Sequence, residues 1–145
     1  MGFFGGLHFW YQKWFGKVFN ELTAKAAWFL VFVGFNVTFF PQFFMGFQGM
    51  PRRYATYPAE YISYHSISTY GSWILGLGIL IMTVNLLLPL MKKSNYPKSS
   101  NPYGSLSLEW QVPSPPPHEN FDKIPTVTDW TYSYGKNRSE ANAKK

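Results

Sequence analysis

Two arginines stand side by side at the end of a long uncharged run: residues 39–61 read FFPQFFMGFQGMPRRYATYPAEY. A guanidinium is permanently charged and presents a planar fork that matches a carboxylate or phosphate through two hydrogen bonds. Arg52 and Arg53 repel each other, and partial burial without counter-anions is strongly unfavourable. The only nearby acid is Glu60, one carboxylate for two cations. Two readings are open: the pair snorkels to lipid phosphates, or it meets a ligand or partner that carries several carboxylates. Just upstream, Pro41 frees the carbonyl of Val37, four residues back. Thr38 and Gln42, spaced i, i+4, share a helix face that Phe39 flanks. Two hydrogen-bonding side chains and an aromatic at a kink suit either helix–helix packing or one edge of a planar cofactor.

Other chemistry is sparse. The absence of cysteine removes disulfides, thiolate metal sites and thiol nucleophiles together. His8, His65 and His118 stand far apart with no i, i+3 or i, i+4 partner, so a metal site built from this chain alone is not expected. No glycine-rich loop precedes a helix as a phosphate cradle, and the GLGILI stretch at 76–81 reads as close helix packing. No nucleophile–base set is present, so the chain is expected to carry no catalytic residue and no metal ligand of its own.

The elements that must hold these residues are membrane helices. Of the 145 residues, 46% are apolar, 21% aromatic and only 14% charged, which is too little charge for an ordinary soluble surface. Residues 26–50 form a span without formal charge, about 37 Å long as a helix against roughly 30 Å of hydrocarbon. Gly49 and Pro51 end it. Residues 70–91, YGSWILGLGILIMTVNLLLPLM, form the second span, bounded by Lys92 and Lys93. Trp28 and Trp73 mark interfaces. Gly2 to Tyr11 is apolar but reaches only about half a bilayer. A helix beginning there either lies flat at the surface or is completed by another chain, and the second is the expectation.

Lys13, Lys17 and Lys25 precede the first span, and Lys92, Lys93 and Lys98 follow the second. Two spans place both groups on one side, which the positive-inside bias makes the matrix or cytoplasmic side. Arg52 and Arg53 then lie on the outer side against that bias, so topology does not explain them. The formal net charge of +6 flanks the spans and does not cluster on a face, which argues against a nucleic-acid partner. The first residues carry neither a transit nor a signal pattern.

The organisation expected is therefore all-α and membrane-embedded: 1–25 the end of a transmembrane helix and its loop, 26–50 a full span, and 51–65 an outer Arg-Arg loop. A second span over 66–91 and a Pro-rich matrix or cytoplasmic tail over 92–145 complete it. Seven of the eleven prolines lie beyond Ser94, so QVPSPPPHENF is expected to be extended and polyproline-like, and GKNRSEANAKK a loose end.

At this point a family comes into view. FVGFNVTFFPQFFMGFQGMPRRYATYP resembles the eleventh transmembrane helix and following loop of cytochrome c oxidase subunit I, of the haem–copper oxidase superfamily. GGLHFWYQKWFGKVFNE is similar to the end of the tenth helix, SISTYGSWILGLGILI to the twelfth, and SLEWQVPSPPPHENF to the C-terminal extension; the resemblance runs from Gly2 to about Phe121. It implies the C-terminal part of subunit I, with the haem and copper ligands upstream, on an N-terminal part carried by a separate chain. It implies haem A as cofactor, in low-spin and high-spin sites shared with that part, and copper in the full complex with no ligand from this chain. The implied activity is that of the assembled oxidase only, reducing dioxygen to water with proton pumping. The implied partners are subunits II and III, cytochrome c through the complex, and membrane lipid. The implied location is the mitochondrial inner membrane, or a bacterial cytoplasmic membrane. Arg52 and Arg53 match the family's haem-propionate partners, on the electron path to the low-spin haem; Thr38, Phe39 and Gln42 match its low-spin pocket. This chain departs from the pattern at Thr56 and Ala59, where acids are frequent, at Phe43, where histidine is frequent, and at His65, where a polar amide is common. A quinol oxidase and a small two-span structural or assembly protein that binds anionic lipid are the alternatives.

Overall fold

The computed structural model describes residues 2–92, 97, 99–121 and 123–126. Among them there is no strand. Helix α1 spans Gly2–Phe15, α2 Glu21–Phe47 and α3 Ile62–Met91, with single 3-10 turns at Ala59–Tyr61 and Leu108–Trp110. The chain divides into two units: residues 1–18 with 89–145, and residues 19–88. Both Glu21–Phe47 and Ala59–Met91, 27 and 33 residues, are long and apolar enough to cross a membrane.

In the second unit, α2 begins five residues before the uncharged run because its first turn is built from polar groups. The Asn20 side chain accepts hydrogen bonds from the Thr23 amide at 2.9 Å and the Thr23 hydroxyl at 3.1 Å, satisfying an amide that a helix start leaves without a partner. Asn85 of α3 grips the same residue twice: its amide donates to the Asn20 carbonyl at 2.9 Å, and its oxygen accepts from the Asn20 amide at 3.2 Å. α2 ends at Phe47, and Gly49, at φ 89°, turns the chain out of the helix. α3 starts at Ile62, eight residues before the apolar run, because Ser66 and Thr69 return their hydroxyls to the carbonyls of Ile62 and His65.

Size, rather than hydropathy, selects what lies between α2 and α3. The buried positions of α2 are Ala27, Val31, Gly34, Thr38, Pro41 and Met45, spaced alternately by four and three. On α3 the buried positions are Ser68, Gly71, Gly78, Met82, Asn85, Leu86 and Pro89, and the first five follow the same 3.5-residue rhythm, that of a left-handed, knobs-into-holes helix pair. A Cβ on Gly34 would collide with the Leu75 backbone nitrogen, and one on Gly78 would lie 2.8 Å from the Val31 nitrogen. Phe32, Phe35, Phe40, Phe44 and Trp73 face outwards. Small residues inside and aromatics outside is the arrangement of helices packed in lipid or against further helices.

The first unit folds the proline-rich segment onto α1. Tyr11 and Trp110 are both about fully buried, at 1% exposure. The Lys13 ammonium, also buried, donates to the Val112 carbonyl at 2.8 Å and to those of Pro113 and Ser100 at 3.4 and 3.5 Å, and sits 4.8 Å from the Trp110 ring. Gln12 donates to the Ser99 carbonyl. Phe9 stacks on Tyr103 at 4.8 Å and meets Trp110 edge-on at 5.3 Å. The segment expected to be extended is instead bent: Gln111 donates back to Leu108, and the Asn120 amide to the Pro117 carbonyl. Packing on α1 overrides the polyproline preference. The last eleven residues lie outside the described residues.

Lys13→Met would keep the bulk and remove the donor from the Val112, Pro113 and Ser100 carbonyls. Hydrogen bonds to a charged group contribute about 1.5–3 kcal/mol, so limited proteolysis of the variant is expected to cut within residues 99–121 far faster than in wild type.

Candidate functional site

The lower half of α2, the loop after it and the start of α3 enclose a groove of about 750 Å³. Its apolar wall is Phe39, Phe43, Phe47, Met45 and Met50; its polar groups are Gln42, Arg52, Tyr54 and His65. The wall follows from helix periodicity: residues 39, 42, 43 and 46 lie one step around α2 from the buried seam at 38, 41 and 45. Arg52 is brought to the rim because Gly49 turns the chain and Pro51 prevents the helix from resuming.

A chain of hydrogen bonds orients the polar wall. Gln42 donates to the Ser68 hydroxyl at 2.8 Å, Ser68 donates to the Thr38 carbonyl at 2.7 Å, and the Thr38 hydroxyl donates to the Gly34 carbonyl at 2.6 Å. The Gln42 amide is thereby held by α3. The last of these bonds turns the Thr38 side chain into the seam, beside Gly71.

Of the five residues singled out in the sequence, three converge: Phe39, Gln42 and Arg52 line the groove. Thr38 lies behind it, in the helix seam. Arg53 follows the rim residue in a left-handed conformation, φ 55°, and is not part of the lining. Among the described residues neither guanidinium has an ion-pair partner, Glu60 included. Both side chains are exposed, so the rim carries uncompensated positive charge above an aromatic wall. Among the described residues no cluster of three or more metal-ligating side chains occurs.

Sequence reasoning did not single out Tyr54, His65 and Ser68 as site residues. The Tyr54 hydroxyl and His65 Nε2 share a hydrogen bond of 3.1 Å, and the Tyr57 ring lies 4.2 Å from the imidazole. Ser68 was signalled only by its place in the 3.5-residue rhythm of α3.

Chemically, the groove can hold a flat, largely apolar group by its aromatic and thioether surfaces, with acid substituents on that group directed to Arg52. Comparison with known proteins sharpens this. The family described as "Cytochrome C and Quinol oxidase polypeptide I" matches residues 1–80. Cytochrome c oxidase subunit 1 of Cereibacter sphaeroides is 34% identical over 135 residues, which is 89% of this chain and 23% of that protein. The Bacillus subtilis protein of the same name is 38% identical over 128 residues, 87% of this chain and 20% of the relative. Quinol oxidase subunit 1 of Bacillus spizizenii is 40% identical over 128 residues, again 20% of the relative. This chain thus spans about a fifth to a quarter of the length of these three relatives. A helix pair packed through small residues, an arginine-rimmed groove and these matches belong together: the chain is a member of the cytochrome c and quinol oxidase polypeptide I family.

Proposed function

We propose that this chain is the C-terminal part of subunit I of a terminal oxidase, completing the helix bundle begun by the N-terminal part of that subunit. In this reading 51–65 is the outer loop and 92–145 the matrix or cytoplasmic tail, in a mitochondrial inner membrane or its bacterial counterpart. The observation that carries the reading is the convergence of Phe39, Gln42 and Arg52 on one groove.

The lining suits a haem. Phe39, Phe43 and Met50 offer an apolar surface to a porphyrin face, and Arg52 offers a fork to a propionate, with Arg53 adding charge beside it. Thr38 supports the wall from behind through Ser68 and Gln42. A haem A bound there supplies one-electron transfer. The residues of this chain hold its acid groups, exclude water from its face and set the local charge; the metal ligands come from the N-terminal part. Arginine charge beside the propionates favours the ionised acids and the reduced, electron-rich haem.

The test is purification of the native complex from membranes, with a mass-spectrometric inventory and a reduced-minus-oxidised spectrum. The expected result is the haem-ligating part of subunit I, with haem A bands, in the same particle. A haem-free particle would leave the anionic-lipid structural role. A quinol oxidase stands as the second reading because relatives of both names match with similar identity; oxidation of reduced cytochrome c by the purified complex separates the two.

A further inference from the structure

The loop that carries the arginines holds an unfavourable backbone. Arg53 sits at φ 55°, a region that L side chains rarely adopt and that persists only where the surroundings impose it. Residues 51–58 form no regular element and are all exposed, so core burial does not impose it. What grips the loop is one side chain of α3: His65. The Tyr54 hydroxyl, on the residue after Arg53, lies 3.1 Å from His65 Nε2. The Tyr57 ring lies 4.2 Å from the imidazole, and Tyr54 and Tyr57 meet edge-on at 5.5 Å. Both loop tyrosines thus close on one imidazole, which itself lines the groove beside Arg52.

We propose that His65 and Tyr54 form a positioning pair that clamps the loop and sets Arg52 over the groove. The role rests on the haem-pocket reading above and deepens it. The clamp needs a side chain on the first turns of α3 that is flat enough to be covered by Tyr57 and polar at its far end to meet Tyr54. An imidazole satisfies both requirements; leucine satisfies neither, and glutamine satisfies the second. The hydrogen bond survives either tautomer, because the tyrosine hydroxyl can donate or accept.

The experiment uses the purified native complex with Tyr54→Phe, His65→Leu, His65→Gln and the Tyr54→Phe/His65→Leu double variant. Hydrogen exchange of amides 52–57 is compared with wild type at one pH. Tyr54→Phe is expected to exchange about fivefold faster, the equivalent of one ordinary hydrogen bond. His65→Leu is expected to do at least as much, His65→Gln to recover most of the protection, and the double variant to add little to His65→Leu. In the same samples the low-spin haem potential is expected to fall in Tyr54→Phe and His65→Leu and to return towards wild type in His65→Gln. Unchanged exchange in Tyr54→Phe, or additive effects in the double variant, would overturn the clamp. Changed exchange with an unchanged potential would overturn its role in setting Arg52. A complex without haem would overturn the haem-pocket reading instead, while the exchange data would still decide whether the clamp exists.

Discussion

Gly71→Leu is expected to keep this chain out of the proposed oxidase complex. A Cβ at position 71 would lie 2.5 Å from the Thr38 nitrogen, 2.7 Å from the Val37 carbonyl carbon and 2.8 Å from the Thr38 hydroxyl oxygen. Two of those atoms are backbone of a helix at its proline, so no rotamer change relieves the contact. Overpacking a fitted interior costs about 1–3 kcal/mol and more where backbone must move. Forcing the helices apart here also stretches the Ser68 to Thr38 bond at 2.7 Å and the Gln42 to Ser68 bond at 2.8 Å, which orient the groove. Even Gly71→Ala should lower the amount of assembled complex, whereas Gly76→Ala, with nothing within 4 Å of its Cβ, should match wild type. Native gel electrophoresis of solubilised membranes reads all three.

The second large effect is at the rim. Arg52 lines the groove and Arg53 does not, so Arg52→Ala should weaken haem retention more than Arg53→Ala. In the proposed haem-bound complex Arg52 would be covered and paired, and removing one partner of a desolvated charge pair costs about 2–5 kcal/mol. At about 1.4 kcal/mol per tenfold, that corresponds to roughly 30- to 4,000-fold faster loss of haem under detergent challenge. Arg52→Lys keeps the charge and loses the fork, so it should retain haem yet shift the low-spin potential. Arg53→Gly removes a charge but also relieves a left-handed backbone, and is expected to fall closer to wild type. Haem per complex, followed by its visible spectrum, separates these outcomes.

How much of this was legible in the sequence depends on which physical signal each feature leaves. Helices α2 and α3 announce themselves by apolar length. Their starts do not, because Asn20, Glu21 and Lys25 at one and Ser63 to Ser66 at the other are polar residues drawn into helix by capping and by hydroxyl-to-carbonyl bonds. The seam between them is hidden for a different reason. Phenylalanine, leucine and tryptophan cover every other face, so hydropathy has no direction, and only the small residues at 3.5-residue spacing mark the inside. Arg52, Phe39 and Gln42 were readable because charge, ring and amide fall together at a proline. Thr38 shares the helical face of Gln42, but its short hydroxyl returns to Gly34 and leaves it in the seam. The Tyr54 and His65 contact closes an eleven-residue loop without periodicity, which no spacing rule reveals. The fold-back of the tail, which sets Trp110 against Lys13 of α1, is a long-range contact of the same kind.

In the proposed reading, the acid groups of a bound haem are the counter-charge for Arg52. A density map of the purified native complex tests this most directly. The expected result is a haem carboxylate within about 2.7–2.9 Å of the Arg52 guanidinium, with the porphyrin face against Phe39. A guanidinium directed to phospholipid or open water, with no porphyrin in the groove, would contradict it.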